Sequence, residues 1–168
     1  MIAIRPYTAQ DRPALIALMR DFVGLHREFL GEGGAVTDAE AVQIVQETLD
    51  QPQSRLLVAE DTEAGGLAGF ARWEEREGAF FGRELFVRPE YRRQGIGGRL
   101  QAEVEGQVRQ AGGDALFISI VPHNQPMLGF ARRRGYDTLN TIELRKELAG
   151  EQPRRGRVTL LGLEFRVI

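Results

Sequence analysis

One stretch of the chain constrains its fold more than any other: residues 85–100, which read LFVRPEYRRQGIGGRL. An apolar, strand-like segment leads into a loop rich in arginine and glycine, and the apolar spacing that follows indicates a helix. Glycines let backbone N–H groups approach a ligand closely, and the start of a helix favours negative charge. The stretch therefore predicts a strand–loop–helix unit whose loop binds an anion such as a pyrophosphate.

Length and composition predict a single domain that spans residues 1–168. A chain of this size buries about 70% of its unfolded surface, so it needs neither a metal nor a disulfide to hold a core. Cysteine is absent, which excludes a disulfide framework, a thiolate nucleophile and a cysteine-ligated zinc site. The two histidines, His26 and His123, lie far apart in the sequence, so we expect no metal site.

The charge pattern argues against a polymeric or membrane-bound partner. The net charge of −2 gives no bulk attraction to nucleic acid or to an anionic membrane. No apolar run reaches the roughly 20 residues needed to cross a bilayer, and no signal-peptide pattern follows Met1. Positive charge is instead concentrated around residues 88–99 and 132–134. We therefore expect a cytoplasmic protein that binds a small polyanion, and neither nucleic acid nor a membrane.

Two helices are predicted in the first third of the chain. Thr8 precedes Asp11 by three residues, and Thr37 precedes Glu40 by the same spacing, as in the capping boxes that start helices. Apolar residues then recur on one helical face after each pair. A glycine-rich segment at 31–34 separates the two helices.

Four strands are predicted before the glycine-rich loop. A short strand at residues 2–4 opens the chain, and three more follow at 55–60, 67–74 and 79–87. The connections between the last three are short. Short connections favour an antiparallel meander, so we expect these strands to pair in sequence order.

The loop is followed by a predicted helix and a predicted buried strand. Apolar residues recur at every fourth position from Ile96 to Val108, and Gly112 ends the pattern. Residues 115–121 are almost continuously apolar, as expected for a strand buried on both faces. A strand, a crossover helix and a second strand predict parallel pairing between 79–87 and 115–121.

The remaining sequence predicts one helix and two strands. Asn124 is placed as the N-cap of a helix that ends at Gly135. Residues 138–148 and 158–168 alternate well enough to form the last two strands, with 149–157 as their turn.

Two motifs make the chain similar to the GCN5-related N-acetyltransferase (GNAT) family. Residues 92–97, RRQGIG, match the family's Arg/Gln-x-x-Gly-x-Gly/Ala motif, which grips the pyrophosphate of acetyl-coenzyme A (acetyl-CoA). Residues 124–136 resemble the family's helix that starts at asparagine and ends in glycine and an aromatic residue. The resemblance implies an α/β (α+β) fold: a mixed, mostly antiparallel sheet of about seven strands, flanked by four helices and splayed between strands four and five.

The resemblance also assigns the acetyl-CoA contacts. The main chain of Phe86 and Val87 would pair with the pantetheine arm as if it were an added strand, and Asn124 would approach the arm or its sulfur. Arg92 and Arg93 would make charge-assisted contacts to phosphate. Backbone N–H groups in the loop and first helical turn would hold the pyrophosphate: those of Gln94, Gly95, Ile96, Gly97, Gly98 and Arg99.

The reaction implied by the resemblance is direct transfer of an acetyl group to a primary amine, with acetyl-CoA as donor and no metal. A small-molecule amine is favoured because acidic residues near 31–40 and 74–77 would attract a cation. Such a transfer needs a base for the ammonium proton, a backbone N–H that polarises the thioester carbonyl, and a proton source for the thiolate. The N–H would come from the region of Val87.

The sequence departs from the family at the expected acid and base. Many members have a tyrosine seven residues after the helix-four asparagine, where this chain has Ala131. Many also place a base four residues before the strand-four leucine, where this chain has Phe81. Water could protonate the thiolate in place of the tyrosine.

Glu84 is the nearest carboxylate to the expected base position and is our candidate catalytic residue. Period-two alternation would point it away from Leu85, toward the cleft. The competing interpretation is an ion-paired strand residue, with Arg83 or Arg72 as partner.

Three other functions stay open at this point. The chain could be an acyl-CoA-binding regulatory module that has lost catalysis, as the two departures would allow. It could acetylate a protein N-terminus or lysine instead of a small molecule. A nucleotide-binding oxidoreductase also uses such glycines, although an antiparallel meander before the loop disfavours it. The oligomeric state is not determined by these patterns, and a homodimer is retained as one option.

Overall fold

The computed structural model describes residues 1–146, 148–149 and 156–167. Contacts group the chain into two compact units, one of residues 1–25 and 34–119 and the other of 26–33 and 120–168. The helices within the described residues are α1 (Arg12–Leu30), α2 (Asp38–Leu49), α3 (Ile96–Gln110) and α4 (Gln125–Arg133). The strands are β1 (Ile2–Pro6), β2 (Ser54–Asp61), β3 (Leu67–Arg76), β4 (Ala79–Val87), β5 (Phe117–Ile118), β6 (Gly156–Leu160) and β7 (Leu163–Val167).

The first unit contains a five-stranded sheet in the order β1-β2-β3-β4-β5. The first four strands pair antiparallel, and β4 pairs with β5 in parallel. This order confirms the predicted meander and the parallel pairing across α3. The mixed, mostly antiparallel α/β fold with four helices is likewise confirmed, although the seven strands lie in two sheets.

Each face of the five-stranded sheet has its own apolar core. One core joins α3 to the sheet, with Trp73 and Phe80 in ring contact at 5.9 Å. The other joins α1 and α2 to the sheet through buried residues such as Leu15, Val45 and Phe70. Because both faces are covered, β3 is buried over most of its length, which explains why its sequence is apolar on both sides.

Both predicted helix starts are present. The Thr37 hydroxyl accepts a hydrogen bond from the Glu40 N–H at 3.2 Å. The Asp11 carboxylate accepts one from the Thr8 N–H at 2.7 Å, ahead of α1. These side chains bond backbone N–H groups that have no partner inside the helix, which is why the spacing was readable in the sequence.

Strand β5 is shorter than the sequence predicts. The apolar run at 115–121 suggested a long strand buried on both faces, but only Phe117–Ile118 is a strand, and its residues are half-buried. Pairing with β4 is confined to Phe81 with Phe117 and Gly82 with Ile118. A strand needs a hydrogen-bonded partner along its length, and β5 ends where its pairing with β4 stops.

The prediction for the last two strands was wrong in its boundaries. Residues 138–146 and 148–149 contain no strand. The segment at 158–168 is not one strand: β6 and β7 form an antiparallel hairpin around Leu161 and Gly162, both at positive φ. A Leu-Gly pair gives only a weak turn signal beside a strongly alternating sequence. Most of the predicted turn at 149–157, namely 150–155, lies outside the described residues.

Candidate functional site

The first element of the site is an open length of β4. Pairing with β5 stops at Gly82, so from Arg83 to Val87 β4 pairs only with β3 among the described strands. The register of β3 and β4 shifts between Arg72 and Trp73 at the same level. Such a bulge bends a strand and increases its twist. Strands four and five are therefore splayed, as the resemblance implied.

The register determines which backbone groups face this opening. The Arg88 N–H donates to the Ala68 carbonyl at 2.9 Å, so the main chain of Arg88 points toward β3. Hydrogen-bonding direction alternates along an antiparallel strand. The N–H and C=O groups of Phe86 therefore also face β3, whereas those of Leu85 and Val87 face the opening.

A tight loop connects β4 to α3. A single 3₁₀ turn covers Pro89–Tyr91, and the chain then passes through positive φ at Arg93 (63°) and Gly95 (80°). Glycine adopts this region without the Cβ clash that other residues suffer, so Gly95 can act as the N-cap of α3. The loop is also anchored, because the Tyr91 hydroxyl donates to Asp61 at 3.1 Å. That hydrogen bond raises the pKa of Tyr91.

The first turn of α3 presents unpaired backbone donors. The first hydrogen bond of the helix runs from the Arg99 N–H to the Gly95 carbonyl at 3.0 Å. The N–H groups of Ile96, Gly97 and Gly98 precede it and have no acceptor within the helix. The Ile96 side chain is buried in the core, so that residue contributes to the site through its backbone.

Three arginines of the loop and of the start of α3 have different surroundings. Arg92 donates from Nε to the Val87 carbonyl at 2.9 Å, and its guanidinium lies 5.7 Å from the centre of the Phe86 ring. Arg99 donates to the Ile2 carbonyl at 2.9 Å. Arg93 is exposed. All three remain candidates for phosphate contacts, because each uses only part of its donor set here.

Two further side chains complete the loop. Gln94 donates to the Glu90 carbonyl at 3.2 Å, a hydrogen bond that spans the turn. The Arg88 Nε is buried and has no hydrogen-bond partner among the described residues. A buried N–H without an acceptor is uncommon in a folded protein.

Glu84 is ion-paired with Arg72. Both oxygens accept from the guanidinium, Oε2 from Nε and Oε1 from a terminal nitrogen at 2.7 Å. The side chains are 17% and 9% exposed. Burial lowers the pKa of Arg72, but the hydrogen bond and charge of Glu84 outweigh that effect, so the pKa is raised. Of the two interpretations of Glu84, this geometry is the ion-paired one.

Asn124 lies in the second unit and caps α4. Its side-chain oxygen accepts from the Met127 N–H at 3.1 Å, and Gly135 follows the helix at φ 90°. The neighbouring His123 has a buried Nε2 with no partner in the described part of the chain. Ala131, at the position expected for an acid, is buried. The helix and its cap were predicted, whereas a cofactor contact by Asn124 stays a prediction.

The residues around the loop fit the pyrophosphate end of acetyl-CoA. Three first-turn N–H groups supply donors, and the exposed arginines of the loop supply positive charge. The open main chain of Leu85 and Val87 can pair with an extended arm. The loop lies where its motif predicted, but the open backbone positions are Leu85 and Val87, whereas the predicted pair was Phe86 and Val87. Strand direction depends on a register that forms only in the folded protein.

The sequence matches a known family over the same region. The acetyltransferase (GNAT) family matches residues 18–136, which include the open strand, the loop and α3. The chain belongs to the GNAT family. This protein is therefore an acetyltransferase. Among curated proteins, none matches the sequence.

Solved structures share the fold at low identity. An aminoglycoside acetyltransferase, AAC(6')-Iy with the bisubstrate analogue CoA-S-monomethyl-acetylneamine, is 18% identical over 88% of this chain and 99% of its own, with a TM-score of 0.68. AAC(6')-Ih from Acinetobacter baumannii is 19% identical over 89% and 100%, with a TM-score of 0.66. PaiA N-acetyltransferase from Thermoplasma acidophilum, in complex with coenzyme A, is 18% identical over 80% and 89%, with a TM-score of 0.65.

The described residues contain neither a candidate membrane span nor a candidate metal site. No helix among them is long and apolar enough to cross a membrane. Within the same residues, no group of three or more His, Cys, Asp or Glu side chains is placed to hold a metal ion.

Proposed function

We propose that this acetyltransferase uses acetyl-CoA as its donor and transfers the acetyl group to a primary amine of a small molecule. The observation that supports this proposal most is the open backbone of Leu85 and Val87. It lies directly ahead in the chain of the N–H groups that start α3 and have no acceptor within the helix. Together they offer a strand edge for an arm and a donor-rich end for a pyrophosphate. The coenzyme supplies an acetyl thioester, whose thiolate is a fair leaving group.

The pyrophosphate is assigned to the backbone between Gln94 and Arg99, with the first-turn N–H groups as principal donors. Arg92 and Arg93, which are both exposed, are assigned to the phosphate charges. Each charge-assisted hydrogen bond of this kind is stronger than a neutral one. Gly95 is needed for the turn itself.

The thioester carbonyl is assigned to a backbone N–H on the open side of β4. The Val87 carbonyl already accepts from Arg92, which leaves the Val87 N–H for a ligand. Leu85 offers an equivalent group two residues earlier. Fixed donors of this kind stabilise developing negative charge without reorganising. The Phe86 ring contributes to the site through its cation–π contact with the Arg92 guanidinium.

Glu84 is assigned a positioning role in place of the base role. Its two oxygens are held by Arg72, and accepting a proton would remove the negative charge that strengthens those hydrogen bonds. With Ala131 at the usual acid position, water is assigned as the proton source for the thiolate.

The carboxylates near the opening favour a cationic acceptor, and the similar structures favour a small molecule over a protein. Glu74 and Glu84 put two carboxylates on one face of the sheet. Two of the similar structures are aminoglycoside acetyltransferases by name, and aminoglycosides are small molecules. The regulatory-module alternative is favoured by Ala131 and by the pairing of Glu84.

A homodimer is proposed from the second unit. Most of the large apolar side chains that are exposed in the described chain fall between residues 139 and 163: Leu139, Ile142, Leu144, Leu148, Val158, Leu161 and Leu163. Exposed apolar side chains in this number can form a protein–protein contact. Sedimentation equilibrium tests it, and a monomer at tens of micromolar would refute it. The single domain and the cytoplasmic location stay predictions.

Two measurements test the proposed function. Calorimetric titration with acetyl-CoA, coenzyme A and NAD should show binding of the first two, and binding of NAD alone would contradict the assignment. Thiol release should then be followed with neamine, spermidine, propylamine and a lysine-containing peptide. Release with a small amine supports the proposal, release with the peptide alone supports a protein acetyltransferase, and binding without release supports the regulatory module.

A further inference from the structure

Next to the open length of β4, one face of the sheet carries a largely buried charge cluster. It consists of Arg72, Glu74 and Glu84, whose side chains are 9%, 19% and 17% exposed. Side chains two residues apart on a strand share a face, so the cluster lies on the same side as Phe70 and Phe86. The three buried groups carry two negative charges and one positive charge.

Arg72 divides its hydrogen bonds unequally between the two carboxylates. Glu84 receives two of them, one on each oxygen. Glu74 receives a single long one at 3.3 Å, from a nitrogen that also donates to the Ser54 hydroxyl at 3.3 Å. The charge of Glu84 is therefore fully compensated, and the charge of Glu74 is compensated only in part.

The remaining partner of Glu74 is easily displaced. Its second oxygen lies 3.6 Å from Arg83 Nε, and the Arg83 side chain is 45% exposed. An ion pair at this separation whose cation is exposed contributes little to stability. Arg83 can turn into solvent, which would leave a mostly buried carboxylate facing an approaching cation.

We propose that Glu74 binds an ammonium group of the acceptor in place of Arg83. This inference rests on the proposed function, because it places the acceptor on the face beside the open strand. A primary ammonium has three donors and could satisfy both oxygens of Glu74. Burial around the carboxylate strengthens such a contact relative to one in water.

The position of Glu74 further defines the acceptor. Its partner in the sheet is Phe81, at the closed end of the opening. The partner of Leu85 is Ala71, three residues from Glu74 along β3, or roughly 10 Å. A single amine cannot contact Glu74 and react near Leu85 at the same time, so the ammonium on Glu74 is a second one. The acceptors are therefore polyamino compounds.

The decisive experiment compares a polyamine with a monoamine. Steady-state thiol release is measured with spermidine and with propylamine at saturating acetyl-CoA. Glu74→Gln should raise the KM for spermidine about tenfold or more, because a charged hydrogen bond is lost. The KM for propylamine and for acetyl-CoA should not change. Glu75→Gln is the matched control, since Glu75 is exposed on the opposite face.

A second variant should act in the opposite direction. Arg83→Ala removes the competing cation and should lower the KM for spermidine by roughly threefold, the scale of an exposed ion pair. This variant alters an exposed side chain, so it decides the matter if Glu74→Gln does not fold. Unchanged spermidine KM values in the folded variants, or an equal rise for propylamine, would overturn the inference.

Direct binding separates this inference from the proposed function. If the protein acetylates neither amine, the proposed function fails, and calorimetric titration of spermidine into the CoA-saturated protein then decides the inference alone. Weaker binding with Glu74→Gln and tighter binding with Arg83→Ala support it. Equal binding by all forms, or no binding by the unmodified protein, overturns it.

Discussion

At the scale of single residues, the role of a carboxylate depends on what faces it. Glu74 and Glu84 are both carboxylates on one face of the sheet, yet Arg72 holds Glu84 through two hydrogen bonds and Glu74 through one. A mostly buried ion pair is costly to break from one side, because the remaining charge keeps its desolvation penalty. Glu84 therefore matters first for the structure around the bulge.

We expect Glu84→Gln to lower the free energy of unfolding by about 3 kcal/mol, because the Arg72 charge keeps only its long contact to Glu74. Urea denaturation measures this, and the exposed Glu75→Gln should change stability by less than about 0.5 kcal/mol. An unchanged stability with a kcat lowered by about 10² or more would instead restore Glu84 as the base.

A second residue-scale prediction concerns pH. The hydrogen bonds from Arg5, followed by those from Thr8, outweigh burial and lower the pKa of Asp11 to about 2. An unfolded aspartate titrates near 3.9, so the unfolded chain binds the proton first as the pH falls. The resulting stabilisation, about 2 kcal/mol, is complete above about pH 5 and is lost between about pH 4 and 2.

Asp11→Asn should remove this pH dependence. Urea denaturation from pH 7 to pH 2 should show a difference between the two proteins that is largest at neutral pH and shrinks in acid. A difference that stays constant down to pH 2 would show that Asp11 acts through its shape and not through its charge.

At the scale of elements, the start of α3 carries the donor site. We expect Gly97→Glu to abolish binding of coenzyme A, because it places bulk and negative charge beside the first-turn N–H groups. Gly106→Glu is a matched control on the same helix, where a new Cβ would meet open space. Calorimetry should find coenzyme A binding in the control only, and unchanged affinity in Gly97→Glu would remove the loop from the site.

At the scale of the whole molecule, a ligand that binds only the folded state must stabilise it. Acetyl-CoA at 100 times its Kd should raise the free energy of unfolding by about 2.7 kcal/mol. Thermal unfolding followed over a series of acetyl-CoA concentrations measures this effect, with NAD as the control ligand. A melting temperature that does not depend on acetyl-CoA would contradict the proposed donor.

The family could be recognised from the sequence because its motif consists of consecutive residues. Residues 92–97 are consecutive, and the match to the GNAT family covers residues 18–136. The acceptor could not be read in the same way. The carboxylate proposed to bind it belongs to β3, whereas its competing arginine and the open backbone belong to β4.

The sequence alone determined the helix starts, the meander and the glycine loop, since these depend on caps, periodicity and backbone freedom within a few residues. The tertiary structure decided the partner of Glu84, the early end of β5 and the backbone direction of Leu85. It also replaced the long final strand with the hairpin of β6 and β7. Each of these depends on which strands pair and in which register, and neither alternation nor composition specifies the register; even the hairpin turns at Leu161 and Gly162, which give only a weak turn signal.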